Sequence, residues 1–225
     1  MRHFLTTLLI CVFCLSTNTL VAQENENETL VLIDTDMGKI KVKLFNETPL
    51  HRENFLKHVN ENHYNNMIFH RVIKQFMIQG GGEKINQTPE DSTKLAEKTN
   101  YTIPAEFVYP QYFHKRGMLC AARTGDAENP EKASSSTQFY IVTGKHYTEM
   151  ELNKMETEKN ITLTPEQKQA YMLDGGTPHL DGNYTVFGEV ISGMKVVDKI
   201  QFVETYENDR PVKPIKIKSM TIVKK

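Results

Sequence analysis

The sequence predicts a mainly β protein, a closed antiparallel barrel capped at its ends by two short α-helices. Three observations carry this. Short apolar runs with period-two alternation recur from residue 29 to residue 223, separated by turn residues. Helical stripes occur near 48–60 and 194–200. No internal repeat and no GxGxxG phosphate loop interrupts the pattern.

The elements follow in order. Residues 29–45 read as a hairpin, with Leu30, Leu32, Ile40, Val42 and Leu44 alternating and Asp36-Met37-Gly38 as the turn. Thr48 as N-cap and Pro49 at the first helical position open a helix with Leu50, Phe55, Leu56 and Val59 on its apolar stripe. Residues 69–82, FHRVIKQFMIQGGG, read as two strands joined at Lys74-Gln75. Strict alternation puts Phe69, Arg71 and Ile73 on one face, and Met77 with Gln79 on one face. An arginine on that face loses hydration if buried; alternatively its head escapes to water at the strand end. Residues 83–100 read as a long loop with room for a short helix. Strands follow at 118–123 and 134–142, the latter with Gln138 and Tyr140 on one face and Phe139 on the other. A turn at Leu180-Asp181-Gly182 leads to a strand at 185–190, then the helix 194–200. The last strand, 215–223, alternates through Ile215, Ile217, Met220 and Ile222.

Length and charge bound the function. The 225 residues suit one domain, and a net charge of −1 gives no reason to expect nucleic-acid binding. Residues 1–22 read as a secretory signal peptide: Arg2 and His3 precede a short apolar run, and Ala22 offers a cleavage site before Gln23. The run is too short to span a bilayer, so no membrane span is expected after cleavage. The expected destination is the periplasm or envelope of a bacterium, or the exterior. Residues 23–28 read as a polar tail. Cys11 and Cys14 leave with the signal, so Cys120 has no partner for a disulfide and reads as a buried small hydrophobe. The eight histidines are scattered without HExxH or CxxC spacing, so no metal or cofactor is expected.

The run 69–82 resembles the signature of the cyclophilin-type peptidyl-prolyl isomerases. It matches at Phe69-His70-Arg71, the apolar pair Val72-Ile73, and Phe76-Met77-Ile78-Gln79-Gly80-Gly81. Three further blocks match: His114-Lys115-Arg116-Gly117 through Arg123, Ser136 through Ile141, and Leu180-Asp181-Gly182 through Gly188. The resemblance implies an eight-stranded barrel with two capping helices over residues 29–225. It implies isomerisation of X–Pro bonds in proline-containing peptides and unfolded clients, by a monomer without cofactor. In exported proteins this would assist folding. The alternative is a non-catalytic proline-peptide binding module on the same barrel.

Carried over by motif position, Arg71 is the catalytic residue. Phe76, Met77, Tyr140 and Leu180 form the proline pocket, with Tyr184 where many members have histidine. Gln79, Ala122 and Gln138 line the groove for the substrate backbone, and Arg123 sits where some relatives have asparagine. The chain departs from the pattern at Lys74-Gln75, where many members carry Pro-Gly, and at His179, where cyclosporin-sensitive members carry tryptophan. Weak cyclosporin binding is therefore expected. A further departure is an insertion, residues 147–177. Its first part, 149–159, is charged and helical in pattern; Thr164-Pro165-Glu166-Gln167 opens a second helix and Gly175-Gly176 stops it. It reads either as a solvated helical hairpin or as a lid or partner surface.

Overall fold

The computed structural model describes residues 29–84 and 88–223. The signal peptide and the polar tail read at residues 1–28 lie outside the described residues.

β1 (Thr29–Thr35) and β2 (Gly38–Leu44) form the first hairpin, followed by α1 (Pro49–Asn60). β3 (Met67–Ile73) and β4 (Met77–Lys84) form the second. Then come α2 (Pro89–Thr99), β5 (Thr102–Ile103), β6 (Met118–Ala121), β7 (Ser134–Ser135) and β8 (Phe139–Val142). α3 (Glu149–Lys159) and α4 (Pro165–Leu173) precede β9 (Val186–Ser192), α5 (Met194–Gln201) and β10 (Ile217–Val223).

Eight strands form one antiparallel sheet in the order β10-β1-β2-β9-β6-β8-β4-β3. The sheet curls until its edges meet. Ile68 bridges Lys216, Phe69 N donates to Ile215 O at 3.0 Å, and Asn66 N donates to Ile217 O at 2.9 Å. Inward-facing Val31, Ile33, Ile40, Ile78, Leu119 and Ile141 fill the interior. Phe55 and Val59 of α1 and Val197 and Ile200 of α5 join the same core, so these two helices are the caps. Among the described residues no helix is long and apolar enough to cross a membrane.

Four local readings need correction. Thr48 precedes α1, but its hydroxyl donates to Phe45 O instead of capping the helix. The carboxylate of Glu106 does that work from a distant loop, accepting from Leu50 N at 3.0 Å and His51 N at 2.9 Å. The stretch after residue 82, read as a long loop with room for a short helix, instead extends β4 to Lys84, and the helix in it is the 11-residue α2, opened by a reciprocal cap between Thr88 and Asp91.

Strict alternation fails at both edges of the sheet. Phe69 pairs with Gly80 and Arg71 with Gln79, so β3 spends one extra residue there. This bulge separates Phe69, which joins Val72 in the core, from Arg71 and Ile73 on the other side. A similar shift opposite Asp34 and Thr35 sends both Ile217 and Met220 inward and leaves Ile222 39% exposed.

The helical hairpin expected over 147–177 is present, but it is more than a solvated decoration. Leu152, Leu163 and Tyr171 form a small core with Phe113, Tyr147 and Ile161. The hairpin seats against the barrel at Gly176 (φ +156°), where a Cβ would lie 2.4 Å from His114 O and 2.5 Å from Tyr171 Cε1.

Candidate active site

β3, β4, β6, β8 and the turn before β9 surround a cavity of about 200 Å³. It is lined by Arg71, Phe76, Met77, Gln79, Ala122, Arg123, Tyr140, Leu180 and Tyr184. Of the predicted site residues, Gln138 alone does not line it. Gln138 stands behind Gln79, whose Nε2 donates to Gln138 Oε1 at 2.9 Å. Two glycines make room for this approach: at Gly81 (φ +87°) a Cβ would lie 2.3 Å from Thr137 O, and at Gly82 2.9 Å from Gln138 Cδ.

The floor is apolar. Met77, Cys120, Ala122, Tyr140 and Val142 are buried together, with Phe76, Leu180 and Tyr184 packed on them. Cys120 is fully buried, and burial pushes its thiol pKa well up, as expected of a small hydrophobe. One wall is cationic: the Arg123 guanidinium stacks over the Tyr184 ring at 4.3 Å. The Arg123 side chain is 4% exposed and donates from Nε to Asn183 O at 2.8 Å, while Nη1 meets Asp126 at 2.7 Å. Arg123 is thus a built part of the wall, with its charge compensated.

Arg71 stands at the rim. Its side chain is 44% exposed, so of the two readings the solvated head holds and the buried guanidinium does not. Its Nε donates to Asp209 Oδ2 at 3.2 Å. Asp209 is placed for this by its own backbone, whose carbonyl accepts from Val72 N at 2.8 Å. The guanidinium is therefore held by Asp209, while the Gln79 amide is held by Gln138.

Behind the pocket lies a buried chain of polar groups. Tyr140 Oη meets His114 Nε2 at 3.0 Å, and His114 Nδ1 meets Asp181 Oδ1 at 2.9 Å. Asp181 Oδ1 also accepts from His114 N at 2.8 Å. Asp181 Oδ2 accepts from Tyr171 Oη at 2.6 Å. The side chains of His114 and Asp181 are 1% and 3% exposed. Tyr140 Oη and both His114 ring nitrogens are therefore occupied within this chain. The Tyr140 hydroxyl is thus committed inward, and burial raises its pKa well above the ordinary value. It presents ring, not hydroxyl, to the cavity.

His179 sits on a single 3₁₀ turn, Pro178–Leu180, with its ring stacked on Phe76 at 5.6 Å. Burial, and then His114, lower its pKa. The sequence reading missed Asp209 and the chain through His114, Asp181 and Tyr171. One signal was present: a histidine and an aspartate, each within the first two positions of a matched block, invite pairing. Asp209 carried none, since it lies in a polar stretch 138 residues from Arg71. Among the described residues no group of three or more His, Cys, Asp or Glu is placed to hold a metal ion.

A curled eight-stranded barrel with an apolar cavity and a half-exposed arginine beside it is the arrangement the sequence resemblance implied. The chain belongs to the cyclophilin-type peptidyl-prolyl isomerase family: the model "Cyclophilin type peptidyl-prolyl cis-trans isomerase/CLD" matches residues 30–222. A peptidyl-prolyl cis-trans isomerase-like 3 of Dictyostelium discoideum is 34% identical over 193 residues, 85% of this chain and 94% of the relative. A peptidyl-prolyl cis-trans isomerase of Acinetobacter baylyi is 34% identical over 200 residues, 86% of this chain and 85% of the relative. A crystal structure of a Cryptosporidium parvum cyclophilin in the presence of the dipeptide Ala-Pro superposes with a TM-score of 0.59 at 25% identity, covering 87% of this chain and 99% of that one.

Proposed function

We propose that the groove around Arg71 is where this peptidyl-prolyl cis-trans isomerase turns X–Pro bonds, and that its clients are exported proteins. The observation that carries the site is the half-exposed Arg71 guanidinium at the rim of an apolar pocket about 200 Å³ in volume. The related Cryptosporidium cyclophilin was crystallised with Ala-Pro, a ligand of the kind such a pocket takes.

The chemistry needs few parts. Amide resonance sets a barrier of about 18–20 kcal/mol, and uncatalysed X–Pro isomerisation takes roughly tens to hundreds of seconds. No bond breaks, so no nucleophile is required. At the top of the barrier the amide is twisted, conjugation is lost and the proline nitrogen carries a lone pair. A guanidinium N–H pointed at that nitrogen is worth most at the twisted geometry, so it lowers the barrier. Arg71 spends Nε on Asp209, and its two Nη groups, without a partner among the described residues, are offered to substrate. Met77, Phe76, Leu180 and the ring face of Tyr140 grip the proline ring while the preceding carbonyl turns. Gln79, braced by Gln138, and Ala122 lie along the groove for the substrate backbone.

Export rests on residues 1–22, whose charge, apolar run and Ala22 fit a cleaved signal. Proline-containing peptides and unfolded chains reaching the periplasm or exterior are the clients, bound by a monomer.

The test is a protease-coupled assay on a short X–Pro peptide, with the wild type and an Arg71→Ala variant, with and without chelator. Acceleration that survives chelator and collapses in the variant is the expected result. Tight peptide binding without acceleration would favour the binding-module alternative.

A further inference from the structure

The turn at residues 178–183 has two sides. Through Leu180 it walls the proline pocket. Through Pro178, His179 and Asn183 it walls a second cavity, of about 310 Å³. The opposite wall is the end of α3 and the chain after it, Lys159, Ile161 and Thr162. The helical hairpin therefore makes one wall of this cavity. The two cavities share a partition, since the His179 ring lines the second and stacks on Phe76 of the first at 5.6 Å.

The charge it presents can be read from what is already paired. Of the hairpin's cations, Lys154 meets Glu158 at 3.7 Å and Lys168 meets Glu156 at 2.7 Å. Lys159 has no ion-pair partner among the described residues. The acid in the wall, Asp181, is buried with both oxygens committed, to His114 and Tyr171. Burial keeps His179 neutral near pH 7. The exposed Lys159 ammonium thus stands beside the apolar surfaces of Ile161 and Pro178 with no internal counter-charge.

We propose that this groove is a second peptide subsite. It takes client residues two or three positions from the proline and favours a carboxylate side chain where the client passes Lys159. The inference rests on the pocket at Arg71 being the isomerase site. An extended chain advances about 3.3–3.6 Å per residue, so two or three residues carry it past the His179 ring. The other contacts are apolar or uncharged, so the preference is set by one solvated ion pair. That is worth about a two- to five-fold effect, and it weakens with salt.

The test is a peptide scan with the full-length mature protein. Glu or Lys is placed at each of four positions on either side of the proline, and KM is measured at low and high salt. The wild type is expected to favour Glu over Lys by about two- to five-fold at one or two adjacent positions on one side only, with the preference fading in salt. Lys159→Glu is expected to invert that ratio at the same positions. A wild type with no positional preference, or a variant that retains the wild-type preference, would overturn the subsite. Activity of the wild type on a short uncharged X–Pro peptide separates the two levels: without it, the isomerase site itself is misassigned and the subsite goes with it.

Discussion

Tyr171 on α4 donates its hydroxyl to Asp181 Oδ2 at 2.6 Å. Asp181 holds His114, and His114 meets the hydroxyl of Tyr140 in the pocket floor. A continuous buried chain thus ties the helical hairpin to the cavity beside Arg71. A buried carboxylate that loses a donor keeps its desolvation cost, so Tyr171→Phe should destabilise the fold by about 1.5–3 kcal/mol. Denaturant unfolding checks this. An unchanged midpoint would mean that the hairpin is energetically independent of the barrel.

Arg71 and Asp209 form a solvent-facing pair, 44% and 38% exposed. Such pairs add about 0–1 kcal/mol to stability, so Arg71→Ala should leave the melting temperature nearly unchanged. It should lower kcat/KM by about 10²–10³-fold, the scale for losing one positioned donor. Arg71→Lys should recover little, because an ammonium lacks the planar fork. Asp209→Asn should cost less than Arg71→Ala and act on kcat more than on KM, since it loosens the guanidinium without removing it. Near-full activity in Arg71→Ala would end the catalytic assignment.

Cyclosporin should bind weakly. His179 offers an imidazole stacked on Phe76, with neither the area nor the indole N–H of a tryptophan. His179→Trp should tighten binding, as read by calorimetry. Inhibition of the wild type at nanomolar drug would contradict this.

Acid should destabilise the fold through its histidines. Burial, then His58 and Lys84, push the pKa of His63 from its ordinary 6.5 down to about 4. Between those values the unfolded chain binds a proton that the folded chain refuses, so stability is full above pH 6.5 and falls as pH drops toward 4. His51, His58 and His70 are lowered by burial too and add in the same direction. His63 Nε2 is buried without a partner, so His63→Leu should be tolerated at pH 7 and should flatten the slope. Melting temperatures at pH 7, 5.5 and 4.5 would show it; an equal slope in the variant would point to other groups.

The sequence by itself determined the strands, the two capping helices and the family. Those signals are local: alternation, helical stripes and the fixed spacing of Phe69, Arg71, Met77 and Gln79 all lie within short stretches of chain. It also named the residues that gather around the cavity, because motif positions carry over without knowledge of contacts. Tertiary structure decided which way those residues face and what holds them. Alternation alone put Phe69 and Arg71 on one face, and only pairing with β4 shows the bulge that parts them. Arg71 finds Asp209 across 138 positions, Leu50 and His51 find Glu106 across 56 and 55, and Tyr171 reaches Asp181 only because α4 folds back on the barrel. A polar side chain's partner is set by where distant strands close. A bulge is set by register between two strands, and a single strand's sequence specifies neither.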